Sequence, residues 1–142
     1  IDGNAPGLGL LPLVTVFEAD KTVRPTAAHF GPLAGPWSAL AGVAVSGYEI
    51  HHGQTAQHPA MAAAGDVERV ALTDAQGRPL GWQSRAGNVL GLYLHGLFED
   101  PAAVRALFGI DAPTLERVFD GLADFVEARV APGVLASLIA AR

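Results

Sequence analysis

The stretch GNVLGLYLHGLFEDP, residues 87 to 101, constrains the fold of this chain more than any other. Val89 to Leu94 is an uninterrupted apolar run, the pattern of a strand covered on both faces, as in the interior of an α/β sheet. The run ends at His95. Asp100 then offers a carboxylate for a helix N-cap, and Pro101 a fixed φ at the first helical position. A helix is predicted over Pro101 to Phe108, with Gly109 as its stop. Strand, histidine and helix start are thus contiguous, which argues for an α/β domain.

The flanking segments supply the other elements. Leu8 to Phe17 is apolar and β-branched toward its end, and reads as a strand or the approach to one, bounded by Asp20 and Lys21. RPTAAHFGPLAGPWSALAG, with its prolines and glycines, is predicted to be a surface loop with one helical turn at Ser38 to Ala41. GVAVSGYEIHHGQT alternates, with Val43, Val45, Gly47, Glu49 and His51 on one face of a strand and Tyr48, Ile50 and His52 on the other. QHPAMAAAGD reads as loop. VERVALTDAQGRPLGWQS reads as two short strands around the turn Asp74-Ala75-Gln76-Gly77. From Pro113 to Val130, Leu115, Val118, Phe119, Leu122, Phe125 and Val126 recur at spacings of three and four, which predicts an amphipathic helix. Pro132 and Gly133 break it, and VLASLIAA forms a last short helix.

Composition narrows the functional classes. A chain of 142 residues, 50% hydrophobic and 16% charged, suffices for one domain with a real core or a large piece of one. Nine Lys and Arg against fourteen Asp and Glu give a net charge of -5 without a basic cluster, which argues against a nucleic-acid partner. No stretch approaches the roughly 18 uninterrupted apolar residues of a membrane helix, and IDGNAPG lacks a signal pattern. A soluble cytoplasmic protein is expected. The chain has no cysteine, which removes disulfides, thiolate metal sites and any cysteine nucleophile within it. It begins with Ile1, which suggests a longer parent.

Two places can carry chemistry. His95 lies at a strand end with Gly96 leaving the backbone approachable, the kind of place where ligands bind in open α/β sheets. It reads equally as a catalytic imidazole or as a packed histidine satisfied by one hydrogen bond. In GYEIHHG, Glu49 and His51 share a face: they can orient one another or hold a substrate ammonium, or simply face water. His51, His52 and His58 do not make a zinc site, because adjacent strand residues point to opposite faces. Glu99, four residues after His95, is read as helix-start chemistry rather than as the third member of a triad.

GLGLL, VFEADKTVR, SGYEIHHGQT and GNVLGLYLHGLFED together resemble the C-terminal glutamine amidotransferase domain of the cobyric acid synthase family, over about Gly7 to Phe108. The YLHGLF block is shared with the sister cobyrinic acid diamide synthases. The resemblance implies a class I glutamine amidotransferase-like, flavodoxin-like three-layer α/β domain, present in part, with residues 1–109 holding the sheet and 110–142 forming C-terminal helices. It implies that a cysteine on a strand-to-helix turn attacks the side-chain amide of glutamine, and that His95 serves as its base and then as the acid for departing ammonia. Tyr48, Glu49 and His51 are placed near the glutamine pocket.

Leu97 stands where many class I enzymes carry a glutamate, so a Cys-His dyad is expected and Glu99 inherits no role. The nucleophile is expected N-terminal to Ile1. A synthetase domain, also outside this chain, is expected to bind ATP, Mg²⁺ and a corrin substrate, leaving no cofactor or metal within these residues. Alone, the chain is expected to be inert and to expose apolar surface suited to its missing half, a partner or self-association. Two rival readings stay open: the same module with another acceptor, in a diamide synthase or a lipid-linked peptidoglycan amidase, and a cysteine-less, non-enzymatic binding domain.

Overall fold

A computed structural model describes residues 5–65, 69–111 and 113–140. Its centre is a long antiparallel pair, β1 (Leu13–Phe30) and β2 (Ala44–Gln57), in register at Val23↔Ile50 and Ala28↔Val45. Pairing is interrupted between Phe17 and Thr22. The strand does not stop at Asp20 and Lys21: it runs on through Arg24 to Phe30, where a loop was expected. Pro25 is tolerated because the strand on the other flank of β1 reaches only Ala28 to Phe30, so near Pro25 that side has no ladder to break.

The predicted hairpin forms. β3 (Arg69–Asp74) and β4 (Pro79–Gln83) are joined by a turn in which Gly77 has φ 77° and the Asp74 carboxylate accepts the N–H of Gln76 (3.0 Å) and of Arg78 (2.8 Å). Asp66, Val67 and Glu68, which the sequence reading divided between loop and strand, lie outside the described residues, as do Ile1 to Asn4 and the Ala141 end of the last helix.

The run from Val89 to Leu94 is not one doubly covered strand. It is β5 (Leu90–Leu92) and β6 (Leu94–His95), and the sheet order is β5-β4-β3-β1-β2-β6. The two ends of that order are separated in sequence by Tyr93 alone, so the sheet must curl until its edges nearly meet. Every pair in it is antiparallel. This corrects the expectation of a flavodoxin-like three-layer sheet: the described portion is a curled, barrel-like antiparallel sheet with helices. The run is apolar because it crosses the seam of that curl, a situation that periodicity does not distinguish from burial between two helix layers.

The buried side chains form a core cluster. Phe30, Leu40, Leu72 and Leu80 are fully buried and pack with Ala28, Val45, Leu94, Leu97 and Ala103. Each such large aliphatic or aromatic side chain contributes about 1.5–3 kcal/mol by leaving water. Leu40 arrives on a 3-10 helix, Gly35–Leu40, and the buried Gln83 amide ties this segment down by accepting from Ala34 N–H (3.1 Å) and donating to the carbonyls of Ala34 (2.8 Å) and Gly87 (3.0 Å).

Four α-helices lie among the described residues. α1 (Pro59–Ala63) is one short turn where loop was expected. α2 (Pro101–Phe108) has the predicted ends: Asp100 caps it, and Gly109 stops it at φ 66°. It packs through Ala103 and Val104 against β2 and the 3-10 helix. α3 (Leu115–Glu127), capped by Thr114, and α4 (Val134–Ala140) follow. The apolar stripe of α3 is uncovered among the described residues, with Leu115, Val118, Phe119, Leu122 and Phe125 between 48% and 60% exposed.

Candidate active site

β6 is only two residues long, and its place is set by β2. Tyr48 pairs with His95 and Glu49 with Leu94. Alternation along β6 sends Leu94 into the core and leaves His95 exposed. The next residue, Gly96, adopts φ 80° and ψ 10°, a left-handed conformation that glycine reaches without strain, and it turns the chain into a short 3-10 helix, Leu97–Glu99. His95 is therefore the last residue of a strand, on its open side, immediately before a sharp turn.

A groove of about 460 Å³ runs beside this point, lined by Pro25, Thr26, Ala27, Ser46, Gly47, Tyr48, Gly96, Glu99, Asp100 and Pro101. Tyr48, the partner of His95 across the ladder, and Gly96, its neighbour in sequence, both contribute to its wall. At the far side Asp100 does two jobs. One carboxylate oxygen accepts the N–H groups of Ala102 (2.9 Å) and Ala103 (3.3 Å), and the other accepts from the Ser46 N–H (2.8 Å) and hydroxyl (3.0 Å). Burial pulls this carboxyl upward, but the donors from Ser46, Ala103 and Ala102 outweigh it and hold it below the usual aspartate range. The groove is thus walled by an aromatic ring and a fixed negative charge, with Glu99 exposed beside it.

Glu49 and His51 share a strand face, and the structure turns that face inward. Glu49 is fully buried. Its Oε1 accepts from Arg24 Nε (2.9 Å), Thr26 Oγ1 (2.7 Å) and an Arg78 amino group (2.6 Å), and its Oε2 accepts from the other Arg78 amino group (2.8 Å) and lies 3.2 Å from His51 Nε2. Burial alone would raise the Glu49 carboxyl. The donors from Arg78, Thr26, Arg24 and His51 overcome that penalty and drive it far below the usual glutamate range. Arg78 is held in turn by Asp74, 3.1 Å from its Nε. His51 stacks on Tyr93 at 4.4 Å between ring centres, and its Nδ1 is buried without a hydrogen-bond partner. Tyr93 also reaches the Thr55 hydroxyl, so the seam residue is tied to β2 twice.

Of the four residues singled out in the sequence, His95 and Tyr48 are therefore ladder partners beside the groove. Glu49 and His51 sit under it, facing the interior, with the Glu49 carboxylate occupied by protein donors. His52 is exposed while the His51 side chain is only 8% exposed, so the adjacent histidines face opposite ways. Among the described residues no group of three or more His, Asp or Glu side chains is arranged to hold a metal ion. Nor is any helix long and apolar enough to cross a membrane.

Sequence reasoning missed Arg24, Thr26, Asp74, Arg78 and Asp100 as a supporting set. One signal was present: a lone glutamate on the inward face of an alternating strand must find cations, since a buried charge is tolerated only when paired. Which cations it finds depends on long-range pairing: Arg24 is its ladder partner on β1, and Arg78 comes from the β3–β4 turn.

Comparison with known proteins adds a separate line. The sequence profile of the CobB/CobQ-like glutamine amidotransferase domain matches residues 1–103. The chain is 64% identical over 140 residues to a cobyric acid synthase of Polaromonas sp. strain JS666, an alignment covering 99% of this chain and 27% of that protein. It is 66% identical over 138 residues to a cobyric acid synthase of Acidovorax ebreus strain TPSY, covering 97% of this chain and 27% of that protein. For a cobyric acid synthase of Acidovorax sp. strain JS42 the identity is 65% over 140 residues, with coverage of 99% and 27%. The chain thus spans about a quarter of the length of the curated relatives it matches. No solved structure matches it.

Proposed function

Since this chain belongs to the CobB/CobQ-like glutamine amidotransferase family, we propose that it forms part of the glutaminase of a cobyric acid synthase, with His95 as the general base. In this reading the parent protein releases ammonia from glutamine and uses it, with ATP, to amidate side-chain carboxylates of a corrin. The observation that carries the assignment is the place of His95, exposed at the end of β6, with its ladder partner Tyr48 and its chain neighbour Gly96 both lining the adjacent groove.

The chemistry is that of a thiol amidohydrolase. His95 accepts the proton of a cysteine thiol, the thiolate adds to the amide carbon of glutamine, and the imidazolium then protonates the leaving nitrogen, giving ammonia and a thioester. His95 next deprotonates water, which adds to the thioester and releases glutamate and thiol. The chain itself contains no cysteine, so the sulfur comes from residues beyond these 142 and the chain by itself does not hydrolyse glutamine. Tyr48 faces the groove and contacts the substrate, while Glu49 and His51 support β2 from beneath. ATP and Mg²⁺ belong to the synthetase part, and no step at His95 is routed through them.

The test is His95→Ala in the full-length protein. Glutamine-dependent amidation should be lost and amidation with free ammonia kept. Equal loss of both would remove His95 from the glutaminase reaction. The same variant assayed with corrin, diamide-synthase and cell-wall acceptors separates this reading from an amidotransferase with another acceptor.

A further inference from the structure

Gly47 stands where β6 meets β2, and its backbone is not in the left-handed region, so what it supplies is space rather than a conformation. A Cβ placed on it would lie 2.2 Å from the carbonyl oxygen of His95, 2.9 Å from Leu94 Cγ and 3.1 Å from Leu94 Cδ1. The nearest of these atoms is backbone and belongs to His95 itself. It cannot swing aside as a side chain would. We propose that Gly47 is a positioning residue: by carrying no Cβ it lets the His95 segment lie against β2 closely enough to bring the imidazole to the Tyr48–Gly96 groove.

This rests on the assignment of His95 as the base and extends it to the residue that sets its place. β6 has just two residues, and among the described residues its ladder consists of the two pairs Tyr48↔His95 and Glu49↔Leu94. Ordinary van der Waals contact begins near 3.4 Å, against the 2.2 Å a Cβ would impose, so the His95 backbone must retreat by roughly 1 Å. A misplacement of that size at a catalytic group is enough to slow a reaction by about 100-fold.

The experiment compares Gly47→Ala, Gly81→Ala and His95→Ala in the full-length protein, measuring glutamine-dependent kcat and KM, the ammonia-dependent rate and the melting temperature. Gly81 is a matched control: a Cβ there would come 2.5 Å from Leu92 Cδ2 and 3.1 Å from the Gly91 carbonyl oxygen, crowding the same sheet at the β4–β5 pair rather than at β2–β6. Gly47→Ala should lower glutamine-dependent kcat by about 100-fold while leaving the KM for glutamine and the ammonia-dependent rate close to wild type. Gly81→Ala should lower the melting temperature and keep kcat. Retention of kcat in Gly47→Ala, or a loss in both glycine variants that simply follows their melting temperatures, overturns the proposal.

If Gly47→Ala does not fold, it is placed in Leu94→Ala, which removes the two Leu94 obstacles and keeps the nearest one, the His95 carbonyl. The double variant must then be slower than Leu94→Ala alone, and equal rates refute the inference. His95→Ala separates the two claims. Its inactivity with glutamine beside an active Gly47→Ala sinks the positioning role alone, whereas activity in His95→Ala sinks the assignment of the base.

Discussion

Replacing Glu49 by Gln removes one charge from the middle of the molecule and changes almost no volume. The carboxylate is fully buried and serves Arg24, Arg78, Thr26 and His51. A glutamine keeps one carbonyl oxygen but turns an NH₂ group toward an arginine N–H, which cannot accept it. Breaking a buried pair from one side costs about 3–5 kcal/mol. The arginines remain 50% and 35% exposed, and Arg78 keeps Asp74, so water and the second carboxylate absorb part of the loss. The expected cost is at the lower end, about 3 kcal/mol.

Urea unfolding followed by tryptophan fluorescence reads it, because Trp82 is buried in β4 edge-on to Tyr93. With a slope of about 1–3 kcal/mol per molar urea, the midpoint should fall by about 1 M or more. The gap between wild type and variant is also pH-dependent. The folded-state carboxyl lies below its ordinary value of 4.5, so its stabilisation is complete above pH 4.5 and erodes as the pH falls from there, where the unfolded chain takes up the proton and the folded chain does not. The gap should therefore shrink on acidification. A gap under about 1 kcal/mol at pH 7, or one that stays constant down to pH 3, would refute the view that a charged network holds β2.

Two further substitutions probe the frame around the groove. Asp100→Ala removes the α2 cap, worth about 1 kcal/mol, and leaves the Ser46 N–H without its acceptor for about 1 kcal/mol more, so urea unfolding should show a loss of about 2 kcal/mol. Gln83→Leu keeps the shape of the side chain but strands the Ala34 N–H, the Ala34 carbonyl and the Gly87 carbonyl. It should cost about 3 kcal/mol and speed hydrogen exchange at Ala34, and an unchanged Ala34 amide would contradict it.

What could be read from the chain was what local rules decide. The alternation of GYEIHHG placed Glu49 and His51 on one face and Tyr48 on the other, as found, and Asp100, Pro101 and Gly109 marked both ends of α2. The turn at Gly77 was legible because a left-handed glycine and an Asx side chain signal it locally. What escaped depends on long-range geometry. Pro25 looked like a strand breaker because its tolerance depends on how far β3 extends along β1. Val89 to Leu94 looked like one strand because its apolarity comes from crossing the seam of a curled sheet. The cations around Glu49 lie 25 and 29 positions away in sequence: the register of β1 on β2 sets Arg24 opposite it, and the β3–β4 turn brings Arg78.

The claim on which the rest depends is that the ring at residue 95 meets a sulfur atom. A structure of the full-length protein, with the thioester trapped from glutamine, measures this directly. The account predicts a His95 ring nitrogen within about 3–4 Å of the acylated cysteine sulfur, at the Tyr48–Gly96 groove. A sulfur on the opposite side of β2, or a His95 ring turned away from it with another base in hydrogen-bond reach, would contradict it.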